Sequence, residues 1–174
     1  MINKQIDKIE FKDFEQLLND AISEGKTIDY KQQLPTNSDA DRKEFLADIS
    51  SFANASGGDL IFGITEEKGS PKSIDGVEIE NVDEEIRKYE NIIRDGIEPR
   101  IALATCPVKV VDKKFVFIFR VSKSWNGPHR VIYKGHDKFY SRNSVGKYPL
   151  DTNELKNAFN LSQTLTEQIS KFKT

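Results

Sequence analysis

Apolar positions along this chain switch between two spacings, and each switch marks an element. Phe11, Phe14, Leu17, Leu18, Ala21 and Ile22 recur three and four residues apart, which predicts a helix over 11–24 ended by Gly25. TIDYKQQLP then reads as a short strand, with Ile28 and Tyr30 on one face, Asp29 and Lys31 on the other, and Leu34-Pro35 as its stop. A second helix over 38–54 has Ser38 or Asp39 as cap and an acidic first turn, and it buries Phe45, Leu46, Ile49, Phe52 and Ala53. Gly57 and Gly58 allow the turn that follows. Leu60, Ile61, Phe62 and Ile64 then run with little alternation, the pattern of a central strand over 59–65 covered on both faces.

The second half is mostly extended. GSPK reads as a turn and SIDGVEI as a short strand or extended loop. Val82, Ile86, Tyr89, Ile92, Ile93 and Ile97 mark a third helix, stopped by Glu98-Pro99. Strands are expected over 101–111 and 115–121, joined by a tight turn at Asp112-Lys113-Lys114, and over 130–141 as a hairpin turning at Gly135-His136-Asp137. DTNELKNAF opens a closing helix capped by Asp151 or Thr152 and running to about Phe172. This order predicts an α+β fold with a mixed sheet, as one domain over 1–174 with its core at about 11–160.

Composition narrows the function classes. The 174 residues are 37% hydrophobic and 31% charged, with a net charge of −2, so any nucleic-acid role needs a local basic patch. A single cysteine, Cys106, excludes an internal disulfide and a cysteine-rich zinc site. The first residues carry no apolar signal core, and no run is long enough for a membrane span, so a cytoplasmic globular domain is expected.

Three groups of residues could carry chemistry. Gly58-x-x-x-x-Gly63 has the spacing of a phosphate-cradling loop, but it follows a helix and lies within a strand, and Ile64-Thr65 stand where such a loop has lysine and a hydroxyl. Glu24, Asp29, Glu66 and Glu67 fall at element ends or on a strand, where convergent carboxylates suit Mg²⁺ or Mn²⁺. Lys31 follows Asp29 on the same strand face. The third group is basic and aromatic: Lys123, Trp125, His129, Arg130, Lys134, Lys138, Tyr140, Arg142 and Lys147. Lys138, Tyr140 and Arg142 share a strand face, and Trp125 reads either as a loop anchor, the favoured reading, or as a stacking platform.

Taken together, EGKTIDYKQQLP, ISSFANASGGDLIFGITEE, the DGV turn and KFYSRNSVGKYPLDTNEL resemble the Schlafen AlbA-like domain, with Phe52 to Gly58 the most specific element. The resemblance covers roughly Glu24 to Phe159 and implies a single lobe of that fold. In Schlafen nucleases three acids hold a divalent metal that cuts tRNA and rRNA. By position these fall on Glu24, Asp29 and Glu66, with Asp29 standing where the family has Glu and Glu66 where it has Asp. The resemblance thus implies an endoribonuclease acting on structured RNA such as tRNA, with Mg or Mn at Glu24, Asp29 and Glu66 and with Lys31 orienting phosphate or water. Lys134, Lys138, Tyr140, Arg142 and Lys147 would contact the nucleic acid, and a homodimer would supply the second lobe of a basic groove. The alternatives are a non-catalytic DNA- or RNA-binding module and an ATP-binding or protein-interaction domain.

Overall fold

The structure, a computed structural model, describes residues 1–173. In chain order, α1 spans Phe11–Asn19, β1 Ile28–Lys31, α2 Asp39–Asn54, β2 Gly58–Phe62, β3 Ile64–Glu67, β4 Ser70–Ile74 and β5 Val77–Glu78. There follow α3 at Val82–Gly96, β6 at Ile97–Glu98, β7 at Leu103–Val111, β8 at Lys114–Val121, β9 at Arg130–Tyr133, β10 at His136–Arg142, β11 at Lys147–Pro149 and α4 at Thr152–Phe172. The fold is α+β, with β1 parallel to β2, β2 antiparallel to β8, and β7 on the far side of β8. A second sheet runs β11-β10-β9-β6.

Alternate side chains of the first sheet enter two cores. Leu60, Phe62, Phe117 and Phe119 meet Phe45, Ile49 and Phe52 of α2 and Tyr89 of α3. Ile61, Val116 and Ile118 meet Phe14 and Leu17 of α1 with Ile28 and Tyr30 of β1. The run of apolar residues in β2 therefore reflects burial on both faces. Asp59, fully buried in the same strand, pairs with Arg120 at 2.7 Å, and Arg120 also donates to the backbone oxygens of Ile2 and Lys4.

The expected strand over 59–65 is in fact two. Gly63 has φ +100, and a Cβ there would stand 3.0 Å from the Cα of Gly76. Its carbonyl accepts from the N–H groups of both Asp75 and Gly76, at 3.0 and 2.8 Å. The chain leaves the sheet at this pinch, forms the β3–β4 hairpin, and returns at Gly76 so that β5 pairs with β8 beyond the end of β2. GSPK is correspondingly not a turn: Lys68 and Gly69, both at positive φ, make the turn, and Ser70 to Lys72 lie in β4. The later hairpin likewise turns at Lys134-Gly135, with His136 and Asp137 already in β10. The first helix stops at Asn19, short of the expected 24, because Ala21 takes φ 49, which a helix cannot contain.

Between α2 and β2 the two glycines let the chain turn inside a closed space. A Cβ on Gly58 would lie 2.5 Å from the Phe52 ring and 2.6 Å from the Thr27 oxygen. Gly58→Ala is expected to cost about 1–3 kcal/mol by overpacking, read in urea as a lower midpoint at unchanged slope.

Candidate functional site

The site is built where β1 passes beneath α2 and β10. Alternation puts Ile28 and Tyr30 into the core shared with α1, which turns Asp29 and Lys31 toward α2. There Asp29 meets Arg142 of β10, a guanidinium only 3% exposed. Arg142 Nη2 donates to Asp29 Oδ2 at 3.0 Å, Nε donates to the Gly25 oxygen at 3.2 Å, and Nη1 donates to Ser51 Oγ at 3.4 Å. The guanidinium also lies 3.9 Å from the centroid of the Phe52 ring, a cation–π contact. Each of the three guanidinium nitrogens thus has a partner.

From Asp29 a chain of alternating charges runs along α2. Lys31 Nζ stands 3.6 Å from Asp29 Oδ1 and 3.6 Å from Asp48 Oδ2. Lys147 of β11 donates to Asp48 Oδ1 at 2.8 Å and also to Glu44, one helical turn away. Asp48 is 2% exposed, and burial pushes its carboxyl up despite both lysines.

On the other side of Asp29 lies Glu24, in the loop beyond α1 rather than at a helix end. Its N–H donates to the Gly69 oxygen at 2.7 Å, and its Oε1 accepts from the Tyr30 N–H at 2.9 Å. The pinched hairpin thus lays its turn on this loop and brings Glu66 into the electrostatic field of Glu24. Glu66 Oε2 itself accepts from the Gly69 N–H at 2.6 Å. Partial burial pushes the Glu24 carboxyl up to about 7, helped by its hydrogen bond to Asp29 and by the charges of Asp29 and Glu66. Asp29 moves the other way. Burial would raise it, but the hydrogen bond from Glu24 and the charges of Lys31 and Arg142 prevail and hold it below the ordinary range. Glu24 is the member that keeps the proton, and Asp29 is the ionised acceptor.

The three acids expected to act together thus share one locality, and their oxygen donors have the right hardness for Mg²⁺ or Mn²⁺. Their arrangement does not fit such an ion. Asp29 is committed to Arg142 and Lys31, Glu66 faces a backbone amide, and among the described residues no three His, Cys, Asp or Glu side chains are placed to hold a metal. The expected nucleic-acid contacts divide in a similar way. Arg142 is interior, Lys147 is held by Asp48 and Glu44, and Lys134 Nζ sits 2.8 Å from Asp39. Tyr140 hydrogen-bonds His136 through its hydroxyl at 2.8 Å, leaving Lys138 as the exposed cation of the set with no ion-pair partner among the described residues.

Sequence reasoning missed Asp48 and Asn54. Asp48 had a signal: it lies three residues after Phe45 and four before Phe52, inside the buried stripe of α2. Asn54 braces the end of α2, donating to the His129 and Tyr140 oxygens and accepting from the His129 N–H.

Fold and site together define an α+β domain with a mixed sheet covered on both faces and a closed charge network beside its parallel strand pair. The chain belongs to the Schlafen, AlbA_2 family, whose model matches residues 24–151. It is similar to the crystal structure of the DIP2311 protein from Corynebacterium diphtheriae, with TM-score 0.54 and 18% identity over 83% of this chain but 27% of that one. It is also similar to the solution NMR structure of the N-terminal domain of a RecG-related protein from Nitrosomonas europaea, with TM-score 0.53 and 18% identity over 74% of this chain and 86% of that one. At such identity the likeness is one of fold. No curated protein matches the chain. Among the described residues no helix is long and apolar enough to cross a membrane.

The Glu24 proton has a measurable consequence. Folded Glu24 keeps it to about pH 7, against 4.5 for an ordinary glutamate, so the stability this proton contributes is complete below about pH 4.5 and is lost as pH rises through 7. Carboxyl ¹³C NMR is expected to show one glutamate titrating near 7 that Glu24→Gln removes. The same substitution should flatten the fall in Tm between those two pH values.

Proposed function

We propose that this protein is a nucleic-acid-binding domain that holds RNA or DNA without cleaving it. The observation that carries this reading is the family match over residues 24–151, since Schlafen, AlbA_2 membership points to nucleic-acid binding. The charge arrangement favours binding over cleavage. With Glu24 holding its proton, Asp29, Glu66, Asp48 and Glu44 still outnumber Lys31, Arg142 and Lys147 around the site, so an approaching phosphodiester is repelled there unless a cation intervenes. Phosphate contacts then fall to lysines that have no carboxylate partner among the described residues, of which Lys138 is one.

A second reading, Mg²⁺- or Mn²⁺-dependent cleavage of structured RNA such as tRNA, is favoured by one observation. Glu24, from a loop, hydrogen-bonds Asp29 on a strand and feels the charge of Glu66 on a separate hairpin. Pairing of two copies, which would give a single lobe its second wall, belongs to either reading and is visible as the mass of the complex in light scattering.

Total tRNA incubated with Mn²⁺ separates the two. Binding without cleavage predicts retention that weakens steeply with salt, no new fragments, and little change in Glu24→Gln/Asp29→Asn. Fragments that require Mn²⁺ and vanish in that double variant would overturn the first reading and establish the second.

A further inference from the structure

Trp125 contradicts the loop-anchor reading. Its indole is 61% exposed, although it is the only tryptophan in the chain and sits on a tightly tethered loop. The residue before it, Ser124, donates its N–H to the Ala53 oxygen at 3.1 Å, and its Oγ accepts from the Asn126 N–H at 3.1 Å. His129, 1% exposed, closes the loop from below. Its Nδ1–H donates to the Pro99 oxygen at 2.6 Å, which leaves Nε2 to accept from Ser124 Oγ at 2.5 Å. Burial lowers the pKa of His129, which keeps the ring neutral and both bonds in place at neutral pH. Asn54 clamps the same residue through its N–H and its oxygen. A large ring left in water by so many backbone and side-chain tethers is presented, not frayed.

What surrounds the ring indicates its occupant. Beside it is a cavity of about 240 Å³, with Pro128, Leu150, Leu161 and Leu165 among its walls. That is below the roughly 300–1,000 Å³ of a drug-sized pocket and suits one flat ring system. Lys123 Nζ lies 4.8 Å from the indole centroid and, among the described residues, has no carboxylate partner. The backbone of Lys123 is fixed by the Gly57 turn, where an added Cβ would stand 2.7 Å from the Lys123 nitrogen. Glu154, the acid that lines the cavity, is occupied with the Asp151 N–H and the Tyr148 hydroxyl. An exposed aromatic with a cation beside it is the combination that holds a stacked base and its flanking phosphate.

We propose that Trp125 is a stacking platform for an unpaired nucleobase of a single strand, with Lys123 on the adjoining phosphate. The proposal rests on the nucleic-acid-binding reading and adds to it a preference for unpaired over duplex nucleic acid.

Because Trp125 is the single tryptophan, intrinsic fluorescence reports on this ring alone. At about 50 mM salt, a single-stranded dodecamer of one pyrimidine is expected to quench it, and a duplex of equal length is not. In fluorescence anisotropy with a labelled strand, Trp125→Ala should bind the single strand about 5- to 100-fold more weakly at unchanged Tm, while Trp125→Phe retains most of the affinity. Lys123→Gln should reduce the salt dependence by about one counterion. If wild type retains the labelled strand but its fluorescence is unchanged and Trp125→Ala binds equally well, the platform is wrong and the binding reading stands. If wild type retains neither strand nor duplex, both fail. Should Trp125→Ala abolish self-association and leave strand affinity untouched, the face is a protein interface and the platform is again wrong.

Discussion

A guanidinium that is 3% exposed must find its hydrogen-bond acceptors inside the protein, and the surroundings of Arg142 are organised by that requirement. Its four partners come from three places: Asp29 on β1, the Gly25 oxygen before it, and Ser51 with the Phe52 ring on α2. Burying the pair costs several kcal/mol of solvation for each ion, and several directed contacts at once offset it. The second sheet, which carries Arg142, is thereby locked to the first sheet and to α2. With the hydrogen bond from Glu24 and the charge of Lys31, the same contact holds Asp29 below the ordinary range, so the proton of the acid pair goes to Glu24.

This arrangement bears directly on chemistry. An aspartate bound to arginine and lysine is a structural acceptor before it is a ligand, and a glutamate that titrates near 7 is an acid held back by its neighbours. The resemblance located the acids but could not show their engagement. The cations behave in parallel: those closest to the acid network are consumed by it, whereas Lys123 lies elsewhere, beside Trp125. Net charge of −2 is therefore compatible with local attraction for phosphate.

Much of the frame was legible because it depends on local pattern. The stripe of α2, the two-sided burial of β2, the cap of α4 by Asp151 with Glu154 and the order of strands follow from spacing and capping. The pinch at Gly63 was not legible, since nothing local says that Gly76 will lie against it, and the same apolar run continues through Ile64. The binding residues were the least legible. Lys134, Arg142 and Lys147 look alike in sequence, and only the tertiary positions of Asp39, Asp29 and Asp48 decide that each is paired. Asp48 was an avoidable omission, an acid in the middle of a buried stripe.

The account stands on Arg142 and Asp29 forming one coupled unit. A double-mutant cycle with Arg142→Met, Asp29→Asn and the pair, each unfolded in urea at pH 7, measures this directly. A coupling energy of about 2 kcal/mol or more is predicted, with the double variant more stable than the sum of the single losses allows. Additive losses, within about 0.5 kcal/mol, would show that the two side chains do not depend on each other and would contradict the account.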